Sequence, residues 1–453
     1  MPSGKMVAMA RSSRSPQKRR RSRRAGRRFL LASALGAANT ATARQPLSRS
    51  PRGGPASFFP GWLTSEMPLH AIGWQALATL GYARKGALRT PSGLIGLGLT
   101  LGSWAALARI WTESTEAPEV FKRALRDGLG DELDEGRDPR QAVDPAVVRR
   151  RLIAGPVANH AKAWRREQNL SYGEAGRRNQ LDIWAREDLP TDGKAPVLLQ
   201  VHGGAWMIGN KDQQGGPLMA HMAERGWVCV AINYRLSPRG TWPDHIVDVK
   251  RAIAWIKENI ADHGGDPDFV AITGGSAGGH LSSLAALSPN EPAFQPGFEA
   301  VDTSVVAAVP FYGVYDWTNR DGTGLEGMDD MLARYVVKAP LADAREAYEE
   351  ASTMSWVGPD APPFMVVHGA NDTLVPIEHA RSFVSMPSAE SKEPVVFAEL
   401  PGAQHAFDVF DSNRTLAAVG AVHRFLAAVR SRAGHDARTG DETAADTQDA
   451  PAT

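Results

Sequence analysis

Three residue types scattered along this 453-residue chain, a serine, an aspartate and a histidine, stand beside glycines and turn-forming neighbours in a way that fits acyl transfer. Gly274-Gly275-Ser276-Ala277-Gly278 has the pattern G-x-S-x-G. A nucleophilic serine on a sharp strand-to-helix turn needs small neighbours so that backbones can pass closely. Alone the pentapeptide is a weak signal. Its weight comes from its place after the apolar run 269–273 and before the helix-like run 281–287. Upstream, His202-Gly203-Gly204-Ala205-Trp206 follows another apolar run, 197–201. Acyl transfer builds negative charge on the carbonyl oxygen, and unobstructed amides can point at it, so the expected oxyanion donors are the N–H groups of Gly203, Gly204 and Ala277. Asp372, in His368-Gly-Ala-Asn-Asp-Thr-Leu-Val-Pro376, and His405, in Gly402-Ala-Gln-His-Ala-Phe407, complete the order serine, acid, histidine. His405 deprotonates Ser276 through one ring nitrogen if a carboxylate, Asp372, holds the other. His202, Trp206 and His280 are expected to shape the substrate pocket. His368, which reads as packed or hydrogen-bonded, Asp408, which no strand end presents, and Asp316, an alternative acid after the run 305–311, are weaker candidates. The single cysteine, Cys229, lies in an apolar run and reads as a small buried hydrophobe.

Such residues must be presented by strand ends. From about residue 170, short β-branched runs alternate with helical patterns, as in βαβ units. Strands are expected at 180–184, 197–201, 228–233, 269–273, 305–311, 364–368 and 395–400. The fold class is therefore α/β: a mostly parallel central sheet with helices on both faces and cap elements. Residues 166–432 form the expected catalytic domain. The stretch 317–359 is longer than a simple crossover and reads as a cap, with Met328, Met331, Leu332 and Tyr335 lining an acyl pocket.

These motifs together resemble the hormone-sensitive-lipase-like and bifunctional feruloyl/acetyl-esterase-like branches of the α/β hydrolases, and within them the actinobacterial Lip-type carboxylesterases. The resemblance rests on His202 to Trp206, on Gly274-Gly-Ser-Ala-Gly-Gly-His280 and on the segments around Asp372 and His405, and covers about residues 170–430. It implies a serine esterase that needs no metal or organic cofactor and acts on a small-molecule ester. Many lipase-like members carry a third glycine where this chain has Ala205 and then Trp206, a form shared with kynurenine-formamidase-like members. An amidase or aryl-formamidase would use the same groups, and a non-catalytic binding protein would be expected to lack one of them.

The remainder of the chain is less explicit. The 51 Lys and Arg against 50 Asp and Glu leave a net charge of +1, so no general attraction for nucleic acid is expected. Ten basic residues and no acid lie between Arg11 and Arg28, and the tail 433–453 is polar; both ends read as solvated and disordered. Residues 1–115 read as a basic leader with two apolar segments, 67–82 and 92–108. The second is about 26 Å long as a helix, the short limit for a bilayer core of about 30 Å. Arg84, Lys85 and Arg89 precede it and acids follow, which places the N-terminus inside and the catalytic domain outside the membrane. Two other readings compete: an export signal, Arg27-Arg-Phe-Leu-Leu31, cleaved after 41–43, and a pair of helices covering the domain. A connector or cap is expected over 116–165, with a charged loop at 131–140 and a helical rhythm at 147–153.

Overall fold

The computed structural model describes residues 16–46, 54–130, 160–324 and 327–448. Eight strands make one sheet: β1 (Arg165–Ser171), β2 (Gln180–Trp184), β3 (Ala195–Val201), β4 (Val228–Ile232), β5 (Gly265–Gly275), β6 (Ala307–Phe311), β7 (Phe364–Gly369) and β8 (Val395–Leu400). Their spatial order is β1-β2-β4-β3-β5-β6-β7-β8. β2 is antiparallel to both β1 and β4, and all pairings from β4 to β8 are parallel. Parallel neighbours require crossovers, so both faces are covered and the central strands carry long apolar runs, such as Val-Cys-Val-Ala-Ile in β4.

Side chains alternate across each strand, giving the body two cores. Val197, Leu199 and Val201 of β3 face α7 (Asp244–Asn259), α8 (Ala277–Leu287), α9 (Arg345–Ala351) and α10 (Ile377–Ser385). Leu198 faces the other side, with α5 (Ala117–Leu129), α6 (Gly216–Glu224) and α11 (Asn413–Gln448). β1 has no counterpart among the sequence expectations, because Arg-Arg-Glu-Gln-Asn-Leu-Ser offers almost no apolar alternation. Charge holds it: Asp182 of β2 sits 3.2 Å from Arg165 and 2.9 Å from Lys211.

Before the body stands a helical bundle of α1 (Pro16–Arg44), α2 (Gly54–Glu66), α3 (Pro68–Arg84) and α4 (Pro91–Ser114). α1 corrects the expectation of a solvated leader. Its small side chains let it lie along α4, with Gly96 against Phe29 and Leu30, and with Ser33 and Thr40 bonded to Thr100 and Ser103 at 3.0 and 2.7 Å. These contacts ascend both helices together, so the two run parallel. Ala43, at the site proposed for cleavage, is buried against Leu107 and Ile110. The tail also differs from expectation, since α11 continues to Gln448. α5 is not a cap: Phe121, Leu125 and Leu129 are buried in the core with Val396 and Phe425. The segments 131–140 and 147–153 lie outside the described residues.

Candidate active site

Ser276 occupies the turn between β5 and α8 with φ +58° and ψ −120°, a left-handed backbone that a side chain adopts at a cost of about 1–3 kcal/mol. The turn fits only because its neighbours lack side chains: a Cβ on Gly278 would come within 2.1 Å of the Val201 carbonyl, and one on Gly203 within 2.5 Å of the Gly275 carbonyl. The Ser276 N–H donates to Phe311 O at 3.0 Å, anchoring the turn to β6.

Asp372 follows β7 and His405 follows β8. His405 Nδ1 and Asp372 Oδ2 are 2.6 Å apart, while Asp372 Oδ1 accepts the N–H groups of Leu374 and Val375 at 2.8 Å each. His368 Nε2 lies 3.3 Å from Oδ2 and donates to Val375 O. Burial by itself would raise the Asp372 carboxyl. The charge of His405 and the hydrogen bonds from His368 and His405 outweigh it and hold the group well below the usual carboxylate range. Asp372 is thus an anion whose second oxygen is aimed at one nitrogen of His405.

Ser276 and His405 border the same cavity, of about 750 Å³. Its wall is mostly apolar and includes Phe58, Phe59 and Trp62 of α2, Met328 and Met331. The last two come from the expected cap. Leu332 is instead buried in the core, and Tyr335 is 39 % exposed and away from the cavity. Trp206 lines the wall, whereas His202 and His280 stand behind it. His280 Nδ1 accepts the Trp206 indole N–H at 3.1 Å and its Nε2 donates to Ala351 O; His202 stacks on Tyr234 with centroids 4.4 Å apart. Burial pushes both rings down to about 4, so they remain neutral.

The segment expected to supply oxyanion donors differs in one respect from expectation. The Gly203 N–H donates to Gln214 Oε1 at 2.7 Å and is engaged, while the N–H groups of Gly204 and Ala277 have no protein acceptor among the described residues. Gln214, from the loop before α6, carried no signal in the sequence. Neither did Tyr312, whose ring centroid lies 4.5 Å from that of His405 and whose hydroxyl donates to Asp408. Asp408 therefore accepts from Tyr312, and the carboxylate hydrogen-bonded to His405 is that of Asp372. Among the described residues, no group of three or more His, Cys, Asp or Glu side chains could hold a metal ion.

A family model described as BD-FAE matches residues 181–386. The chain is 46 % identical over 411 residues to a probable carboxylic ester hydrolase, LipM, of Mycobacterium tuberculosis, covering 88 % of this chain and 93 % of that protein. It is 42 % identical over 389 residues to the esterase LipQ of the same organism, covering 84 % and 87 %. A solved truncated carbohydrate esterase from gut microbiota superposes with a TM-score of 0.47 at 24 % identity, covering 54 % of this chain and 90 % of that one.

Proposed function

The chain belongs to the Lip-type carboxylic ester hydrolases of the α/β-hydrolase fold, and we propose that within it Ser276 is the nucleophile, His405 the base and Asp372 the group that orients and charges the base. The observation that carries this reading is the 2.6 Å bond between His405 and an ionised Asp372, at the cavity that Ser276 also borders.

Ser276 Oγ attacks the ester carbonyl carbon as its proton passes to His405 Nε2. The carbonyl π pair moves onto oxygen, where the free amides of Gly204 and Ala277 receive it; each such donor is worth about 3 kcal/mol of barrier stabilisation. When the carbonyl re-forms, the C–O bond to the alcohol breaks and His405 protonates the departing oxygen. Water then attacks the acyl-enzyme, giving its proton to His405, which returns it to Ser276 Oγ as the carboxylic acid leaves. Asp372 stays ionised throughout and stabilises the imidazolium. The aromatic and methionine wall suits an apolar acyl chain.

The bundle reads as a membrane anchor. Its interior sets Gly96, Ser33, Thr40, Thr100 and Ser103 beside a few apolar residues such as Phe29 and Leu107, whereas Leu31, Leu35, Trp74, Leu77, Leu80, Leu94, Ile95 and Leu101 point outward and are exposed. The stretch Pro91–Leu129 is long and apolar enough to cross a membrane by length and composition. Ser22 of α1 lies against Gly86, so the basic half of α1 and the group Arg84, Lys85 and Arg89 share one end of the bundle. The other end meets the body. Such asymmetry orients the basic end to the cytoplasm and the catalytic body outward.

Replacing Ser276 by alanine in the full chain is expected to lower hydrolysis of p-nitrophenyl butyrate about 10⁵-fold. A variant retaining more than about a hundredth of the rate would contradict the assignment.

A further inference from the structure

The acid and the base are each tied, one residue away, to a different helix of the N-terminal bundle. The indole Nε1 of Trp62 in α2 donates to the carbonyl of Ala406, immediately after His405, at 2.7 Å. The only other donor to that carbonyl among the described residues is the Val409 N–H, at 3.4 Å. Ala406 has φ +55°, a conformation an alanine holds only under outside constraint. On the acid's side, Asn371 Nδ2 donates to Ala43 O at 3.3 Å and Arg44 O at 3.2 Å, supplying partners for terminal carbonyls of α1 from the residue before Asp372.

Neither tie hangs on a loose helix. Trp62 packs on Phe410 with centroids 4.6 Å apart and stacks on Phe58, which in turn meets the His405 ring edge-on at 6.3 Å. Glu66, at the end of α2, forms a buried ion pair with Arg414 at 3.1 Å and accepts from Ser412 at 2.7 Å. α2 is thereby fixed to the segment that follows the histidine loop.

We propose that Trp62 and Asn371 are positioning residues for ester hydrolysis: through them the bundle holds the His405 and Asp372 loops in register, so the N-terminal helices are part of the hydrolytic centre. The proposal rests on His405 being the base. Neither residue exchanges a proton with substrate. Their effect is on where the imidazole stands, and a displacement near 1 Å costs about a hundredfold in rate.

The test is a double-mutant cycle in the full chain, with p-nitrophenyl butyrate as substrate. Trp62→Phe removes the N–H donor and one ring of the indole while keeping an aromatic side chain against Phe58 and Phe410. It is expected to lower kcat about tenfold with KM within about twofold and the melting temperature lowered by no more than about 5 °C, too little to unfold the chain under assay. In a His405→Ala background, where there is no imidazole to position, the same change should leave the residual rate within about twofold. Equal losses in both backgrounds, or no loss in either, would overturn the proposal while leaving the triad intact. Full activity in His405→Ala alone would remove the base assignment and the proposal with it. Should Trp62→Phe not fold, the cycle of Asn371→Ala against Asp372→Ala decides by the same criterion: loss of rate only where the carboxylate is present.

Discussion

The catalytic body and the N-terminal bundle arrange the same residue types in opposite ways. In the body, Leu199, Ile272 and Leu281 are fully buried. In the bundle, Trp74 is 73 % and Ile95 58 % exposed, while Thr40, Thr100 and Ser103 are inside. One rule explains both: apolar faces turn to whatever medium is apolar. For the body that medium is its own core; for the bundle, on the anchoring proposed above, it is the hydrocarbon of a bilayer, where small residues and hydroxyl contacts between helices drive packing. On that proposal the two regions occupy separate solvents and meet at Trp62 and Asn371.

Acid should separate the two regions most strongly. Burial lowers His202, His280 and His379 to about 4 and His245 to about 3, from an ordinary 6.5. A histidine so depressed binds its proton more readily when unfolded. Between about pH 6.5 and 4 the unfolded chain therefore takes up protons that the folded body refuses, and stability falls as the pH falls, by about 1.4 kcal/mol per unit for each ring. Asp372, whose carboxyl is depressed, adds stability above the ordinary carboxylate range that is lost only at still lower pH. Thermal melts from pH 7 to 5, followed separately by loss of esterase activity and by helicity of a detergent-held bundle, should show the body failing first. Simultaneous loss would break the contrast.

A smaller effect sharpens it from the other side. Ile95→Arg puts a charge on the outward face of α4, at a cost of about 2.5–3.5 kcal/mol if that face lies in hydrocarbon and under about 0.5 kcal/mol if it lies in water. Membrane fractionation of the variant should show partial release with the specific activity of the released enzyme preserved. Retention equal to that of the wild type would argue for the water-facing alternative.

The body was the more legible region in the sequence for a physical reason. Buried parallel strands are rich in continuous apolar runs, so β3 to β7 announce themselves, and the chemistry of acyl transfer admits few residue types at the proposed triad positions Ser276, Asp372 and His405. β1 escaped because it is an edge held by Asp182 and its cations. α1 escaped because the basic run from Lys18 to Arg28 conceals its small-residue face. α2 contains Pro60 and two further glycines, which argue against a helix locally, yet it brings Phe58 and Trp62 to the site. The engagement of Gly203 by Gln214 could not be read at all, since it joins two loops whose approach is set only by the folded sheet.

The most direct test of the central claim is the position of a covalent adduct. Treating the full chain with a p-nitrophenyl phosphonate and mapping its peptides by mass should place a single phosphonyl group on Ser276, with the reaction slowed at least about a thousandfold in His405→Ala. An adduct on another residue, or labelling at Ser276 that is indifferent to His405, would contradict the account.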